Sequence, residues 1–177
     1  KRTNTPMKRI GILGGSFDPI HIGHLMMAEA AADAFELDRV IFVVAHQSPF
    51  KSEKNAAPKH RLAMVKKAVA GNSRLHVSNV ELRRGGVSYT IDTLGTFKKI
   101  YPAAELFLII GEDNVAGLKK WKNIDAIKNI ASFIVIERDW FDVSSSLIRE
   151  RLANKKSIRY LTTENVIRYI SQHRLYI

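Results

Sequence analysis

The apolar run Ile10-Gly11-Ile12-Leu13 leads directly into Gly14-Gly15-Ser16-Phe17-Asp18-Pro19-Ile20-His21-Ile22-Gly23-His24-Leu25. This junction constrains the fold more than any other part of the chain. A strand that empties into two glycines and then a helix start is how an open α/β sheet builds a nucleotide site at its carboxyl edge. Glycine lets the backbone approach a ligand and take turn angles that a side chain forbids. Pro19 stiffens the turn ahead of a helix that begins near Ile22, so backbone N–H groups and the positive end of the helix dipole face the loop. An anion belongs there. His21 and His24 are three apart, so on a first helical turn they share a face, and both can reach a phosphate. Positioned donors of this kind do most of the work in phosphoryl transfer. The blander alternative is that the two histidines only satisfy backbone groups at the helix start.

Along the rest of the chain strands and helices alternate. Residues 8–14, 39–45, 75–80, 105–110 and 133–137 read as strands, the second being the continuous apolar run Val40-Ile41-Phe42-Val43-Val44 of a strand covered on both faces. Residues 22–35, 60–70, 89–101 and 124–130 read as helices, and 145–153 and 164–172 as closing C-terminal helices. Repeated β–α alternation predicts an α/β fold with a Rossmann-like, doubly wound parallel sheet. The 177 residues, 46% hydrophobic, suffice for one core. A single domain over 1–177 is therefore expected, with residues 1–7 a natural extension or an added remnant before a start at Met7. Residues 48–59 are the expected flexible surface loop.

Several classes are disfavoured. Neither G-x-x-x-x-G-K-[ST] nor a complete G-x-G-x-x-G occurs, which argues against a P-loop NTPase and a dinucleotide-binding oxidoreductase. The six histidines show no zinc spacing and there are no cysteines. Any metal is then expected to be Mg²⁺ carried on a triphosphate. The missing cysteines agree with a reducing compartment, and with no signal peptide or membrane span in view a cytoplasmic protein is expected. A net charge of +11 would suit nucleic acid, but the lysines and arginines form no long run and no aromatic platform. Steering of phosphorylated substrates uses the same field. No nucleic-acid partner is expected, and a homo-oligomer remains open.

Near the C-terminal end, Asp142-Val143-Ser144-Ser145-Ser146-Leu147-Ile148-Arg149 sets a serine cluster at a helix start with a forked cation one turn in. It can cap the helix, and it can also hold a phosphate.

Gly-Ser-Phe-Asp-Pro-Ile-His-Ile-Gly-His-Leu resembles the first signature of the HxGH nucleotidyltransferase superfamily. Its GGSFDPxHxGHL form looks most like the bacterial nicotinate-nucleotide adenylyltransferase family. The serine cluster resembles that superfamily's ISSTxIR signature, with Val143 for isoleucine and Ser146 for threonine. The 81–94 segment resembles ExxRxGxSYTxDTL, and Ile110-Gly111-Glu112-Asp113 with Leu118 to Trp121 resembles IGxDxxxxLxxW. The likeness runs from Lys8 to the ending His173-Arg174-Leu175-Tyr176.

The resemblance implies transfer of AMP from ATP to nicotinate mononucleotide. It implies catalytic roles for His21, His24, Lys51 and Arg149. Gly14, Gly15, Ser16, Phe17, Gly111, Asp113, Ser144, Ser145 and Ser146 would bind ATP and its phosphates. Ser88, Tyr89, Thr90 and Asp92 would shape a nicotinate pocket in which Trp121 stacks on the ring. From composition alone, a buried core tryptophan is the favoured reading of Trp121. Nicotinamide mononucleotide and phosphopantetheine remain rival acceptors, and a non-catalytic nucleic-acid module is the rival class. Two departures stand out. Ser48-Pro49-Phe50-Lys51 replaces the family's PPHK, and Trp140 runs into Phe141 with almost nothing between, where relatives commonly carry an extra loop and strand.

Overall fold

The structure, a computed structural model, describes residues 7–49, 56–137 and 142–176. Phe50, Lys51 and the short connection at Trp140-Phe141 lie outside the described residues.

Five parallel strands form one sheet in the order β3-β2-β1-β4-β5: β1 (Arg9–Gly15), β2 (Arg39–Val44), β3 (Leu75–Ser78), β4 (Glu105–Gly111) and β5 (Ser132–Ile136). Side-chain alternation explains why the strands read as unbroken apolar runs. Val40, Phe42 and Val44 of β2, with Phe107 and Ile109 of β4, face a core built with α1 (Ile22–Ala34) and α2 (Pro58–Val69). Ile41, Val43, Leu106, Leu108 and Ile110 face a second core containing Leu94 and Phe97 of α4 (Thr90–Ile100) and Ile127 of α5 (Ile124–Ile130). The inner strands β2 and β4 are covered on both faces, the doubly wound arrangement that the sequence predicts. Strand order reverses between β1 and β4. The crevice at their carboxyl ends, beside Gly15 and Gly111, is where such sheets bind ligands.

Gly11 shows how tightly the layers meet. A methyl group there would lie 2.8 Å from Ile109 Cδ1 and 2.8 Å from Leu37 Cδ1. Gly11→Ala is expected to cost about 1–3 kcal/mol of stability by overpacking. The check is the urea midpoint, and an unshifted value would mean that β1 and its neighbours part without cost.

The structure corrects the sequence reading in two places. β3 stops at Ser78, and the chain turns into a short helix, α3 (Val80–Arg84), instead of staying extended to residue 80. The cause is tertiary: Glu81 is buried and accepts a 2.5 Å hydrogen bond from Thr93 Oγ1 on α4, which an extended strand could not deliver. After β4, residues Glu112–Lys120 form a 3-10 helix that the apolar pattern does not announce. Two helices close the fold, α6 (Ser145–Ala153) and α7 (Glu164–Gln172). α7 packs on α2, where His60 Nδ1 shares a 3.0 Å hydrogen bond with the Tyr169 hydroxyl. Burial first, then Lys59 and His173, hold the His60 pKa below its ordinary value. No helix among the described residues is long and apolar enough to cross a membrane.

Candidate active site

A cleft of about 690 Å³ opens at the β1/β4 reversal. The loop after β1 forms its floor, and every turn of that loop has a local cause. Gly14 is exposed and a side chain there would meet nothing, so its missing Cβ leaves open space over the cleft. Gly15 is small for a different reason: a Cβ would sit 2.9 Å from the Phe17 ring. Phe17 takes a left-handed backbone (φ 48°), a strained state for a non-glycine residue. Its ring compensates by burying to 2% exposure against Phe42 and edge-on to His24. The side chain of Phe17 thus belongs to the core, and what it brings to the cleft is mainly the backbone it holds.

The carbonyl oxygens of this loop are taken up in succession. Ser16 O accepts from Arg61 (2.7 Å), Asp18 O from Arg149 (2.7 Å), Pro19 O from Ser145 Oγ (2.8 Å) and Ile20 O from Thr162 Oγ1 (2.9 Å). Carbonyl oxygens repel phosphate, so a loop whose oxygens are directed at protein donors is prepared for an anion. The helix start is less open than the sequence suggests, because Ile22 N–H donates to Leu161 O and His24 N–H to His21 O.

His21 is the N-cap of α1 and His24 its third residue, and their rings stack with centroids 3.7 Å apart. The His21 N–H donates to His24 Nδ1 at 3.3 Å. A neutral ring that accepts at Nδ1 carries its proton on Nε2, leaving that N–H as a donor. Serving the backbone and reaching a ligand are therefore compatible roles for His24.

α6 closes the opposite wall. Ser144 caps it by accepting from Leu147 N–H (3.1 Å), and Arg149 also donates to Ser146 Oγ (3.2 Å). Ser145 and Arg149, read from sequence as phosphate ligands, are here anchored to the loop, while Ser144, Ser145, Ser146 and Arg149 all line the cleft. Gly111 and Asp113 follow β4 on the same cleft, Asp113 accepting from the Asn114 amide at 3.1 Å. The third wall holds Ser88, Tyr89, Thr90 and a half-buried Trp121. Trp121 also packs on the second core, so the two readings of it describe its two sides. Ser88 Oγ accepts from His46 N–H (3.0 Å), tying the loop after β2 to this wall. Asp92 is exposed and is not among the residues lining the cleft. One residue further around α4, Thr93 takes the inward position.

Two supporting side chains escaped the sequence reading. Arg61 is fully buried and donates to Ser16, Ala45, Ala56 and His46 carbonyls, joining the ends of β1 and β2 to the start of α2. Burial lowers its pKa from the usual arginine range, against the opposing pull of Asp18 and Tyr176. A signal existed: Arg61, Met64, Val65 and Val69 share one helical stripe, and all four are buried. Tyr176 had no such marker. Its hydroxyl donates to Asp18 Oδ1 at 2.6 Å, and burial, then this bond, push the phenol well above its ordinary range so that it stays a donor.

Comparison with known proteins identifies the family. A cytidylyltransferase-like family model matches residues 12–151, a span that contains both loop signatures. Proteins named "Probable nicotinate-nucleotide adenylyltransferase" from Oceanobacillus iheyensis and Shouchella clausii are 37% and 41% identical to the chain, each over 96% of it and 97% of their own length. A solved structure from Vibrio parahaemolyticus bearing that enzyme name superposes with a TM-score of 0.81 at 24% identity, covering 96% of both chains, and speaks for the fold. With relatives at this identity over nearly the whole of both chains, the chain belongs to the nicotinate-nucleotide adenylyltransferase family of cytidylyltransferase-like enzymes.

Proposed function

We propose that the protein transfers AMP from ATP to nicotinate mononucleotide in NAD biosynthesis. The observation that carries this reading is the convergence of three elements on one cleft: the loop after β1, the N-terminus of α6, and the wall of Tyr89, Thr90 and Trp121. The first two suit phosphates, and the third suits a flat aromatic ring.

In the reaction, an oxygen of the mononucleotide 5′-phosphate attacks the α-phosphorus of ATP. The bond from that phosphorus to the bridging oxygen breaks, pyrophosphate leaves, and nicotinate adenine dinucleotide forms. The nucleophile is a phosphate monoester with a second pKa near ~6, mostly dianionic at neutral pH. No general base is needed. Rate then comes from orientation and from neutralising charge on the transferred group. His24 donates Nε2–H to the α-phosphate, with His21 stacked behind it. Gly14, Gly15, Ser16 and Phe17 supply backbone, and Ser144 to Ser146 with Arg149 close on the phosphates from α6. Lys51 is assigned to charge neutralisation among the phosphates. Gly111 and Asp113 lie toward the adenosine, Asp113 at its ribose, and Trp121 stacks on the pyridine while backbone N–H groups near Thr90 and Trp121 receive the ring carboxylate.

Among the described residues no three His, Asp or Glu side chains stand together as a metal cage. Mg²⁺ is assigned to the triphosphate oxygens of ATP, where it would neutralise charge as part of the substrate. The net charge of +11 favours the approach of both anions. We place the reaction in the cytoplasm.

The test is pyrophosphate release from ATP and Mg²⁺ with nicotinate mononucleotide, beside nicotinamide mononucleotide and phosphopantetheine. Release with the acid is expected to dominate. Release only with phosphopantetheine would overturn the assignment of the third wall, and salt-sensitive binding of mixed DNA with no release would overturn catalysis itself.

A further inference from the structure

Immediately after Trp121, the exposed Lys122 folds its side chain back so that Nζ lies 4.3 Å from the centroid of the Tyr89 ring. A lysine on a surface loop ordinarily extends into water, and here the aromatic face of Tyr89 holds it at the wall of the cleft. Trp121, Tyr89 and Lys122 all line that cleft, so the ammonium, seated on Tyr89, belongs to the same lining as the indole assigned to stacking. Lys120 adds a second positive charge to the same lining. Each carboxylate of the cleft lining has a partner other than Lys122: Glu81 accepts from Thr93, Asp113 from Asn114 and Asp18 from Tyr176.

We infer that Lys122 is a specificity-determining residue, which selects a ring bearing a carboxylate over the same ring bearing a carboxamide. This rests on the acceptor assigned above. Backbone N–H groups already favour the acid, whose two oxygens both accept, over the amide, which offers one oxygen and an NH2 donor, and a charged side chain adds to that preference. A fixed positive charge separates them, because only the acid carries a negative charge and an ammonium is a compact point charge suited to meet it. At the partly solvated edge of a cleft, one such pair changes affinity about tenfold. Tyr89 contributes by keeping the ammonium at the wall, which reduces the entropy lost on binding.

The experiment compares kcat/KM for nicotinate mononucleotide and nicotinamide mononucleotide in the unaltered enzyme, Lys122→Met and Lys122→Arg, each at low and high salt. In Lys122→Met the acid-to-amide ratio is expected to fall about tenfold, mainly through KM for the acid. Lys122→Arg should keep most of the ratio. Salt should lower the ratio in the unaltered enzyme and have little effect on it in Lys122→Met, a response that a purely structural lysine would not give. An unchanged ratio in Lys122→Met, or equal losses with both substrates, overturns the inference while leaving the acceptor assignment in place. If the unaltered enzyme releases no pyrophosphate with the acid, the acceptor assignment itself fails and the inference falls with it.

Discussion

Replacing His24 by alanine is expected to lower turnover by at least ~100-fold while leaving the protein folded. The two parts of that expectation have separate causes. Turnover falls because Nε2–H is a donor fixed in advance: Nδ1 is occupied by the His21 N–H, and the ring is held between His21 and the edge of Phe17. Water entering the vacated space can donate a hydrogen bond, but it must be oriented anew in each transition state. Stability falls much less. The backbone N–H of His21 loses its acceptor and one stacked pair is lost, together about 1 kcal/mol. Pyrophosphate release and the thermal midpoint, measured on the same preparation, separate the two effects. Near-normal turnover would sink the role given to His24, and a collapsed midpoint would show that the ring is chiefly structural.

Much of this architecture could be read from the chain, and the reasons lie in particular residues. Val40 to Val44 is apolar without alternation because both faces are covered, and the helix from Ile22 begins where the Pro19 turn and the histidines place it. What the pattern could not show was contact between distant segments. Residues 79–80 read as extended because nothing local reveals that Glu81 will meet Thr93. The 3-10 helix at Glu112–Lys120 has no buried residues and so leaves no apolar stripe to detect. The same limit applies to the site. The residue types of the loop after β1 and of the start of α6 were legible, since glycines, serines and histidines are selected by local backbone demands. Their partners were not: Ser145 reaches Pro19 across 126 residues and Tyr176 reaches Asp18 across 158. Asp92 was drawn in by its neighbours in the motif, yet helix geometry turns it outward and Thr93 inward.

Arg61 is the position where one substitution should damage stability most. Its guanidinium is 0% exposed and donates at 2.7 Å to Ser16 O, 2.8 Å to Ala45 O, 3.2 Å to Ala56 O and 3.3 Å to His46 O. Methionine has similar length but no donor, so Arg61→Met leaves buried carbonyls facing hydrocarbon. A single unsatisfied buried group costs about 1–3 kcal/mol, and the four losses share one side chain and do not add in full. A total near 3–5 kcal/mol is expected, comparable with breaking a buried ion pair. Against a stability of about 5–15 kcal/mol this is a large share, visible as a drop of roughly 2 M in the urea midpoint. Arg61→Lys should recover only part of it, because one ammonium cannot reach the geometry of a planar fork. Activity should follow the same order. Ser16 O is held by Arg61 within a loop where the carbonyls of Asp18, Pro19 and Ile20 are held by Arg149, Ser145 and Thr162, so releasing it frees the backbone to which phosphate binding is assigned. A Lys variant that regains stability without regaining turnover would show that the fork positions the loop, beyond filling the core. Recovery of both together would reduce Arg61 to a buried strut.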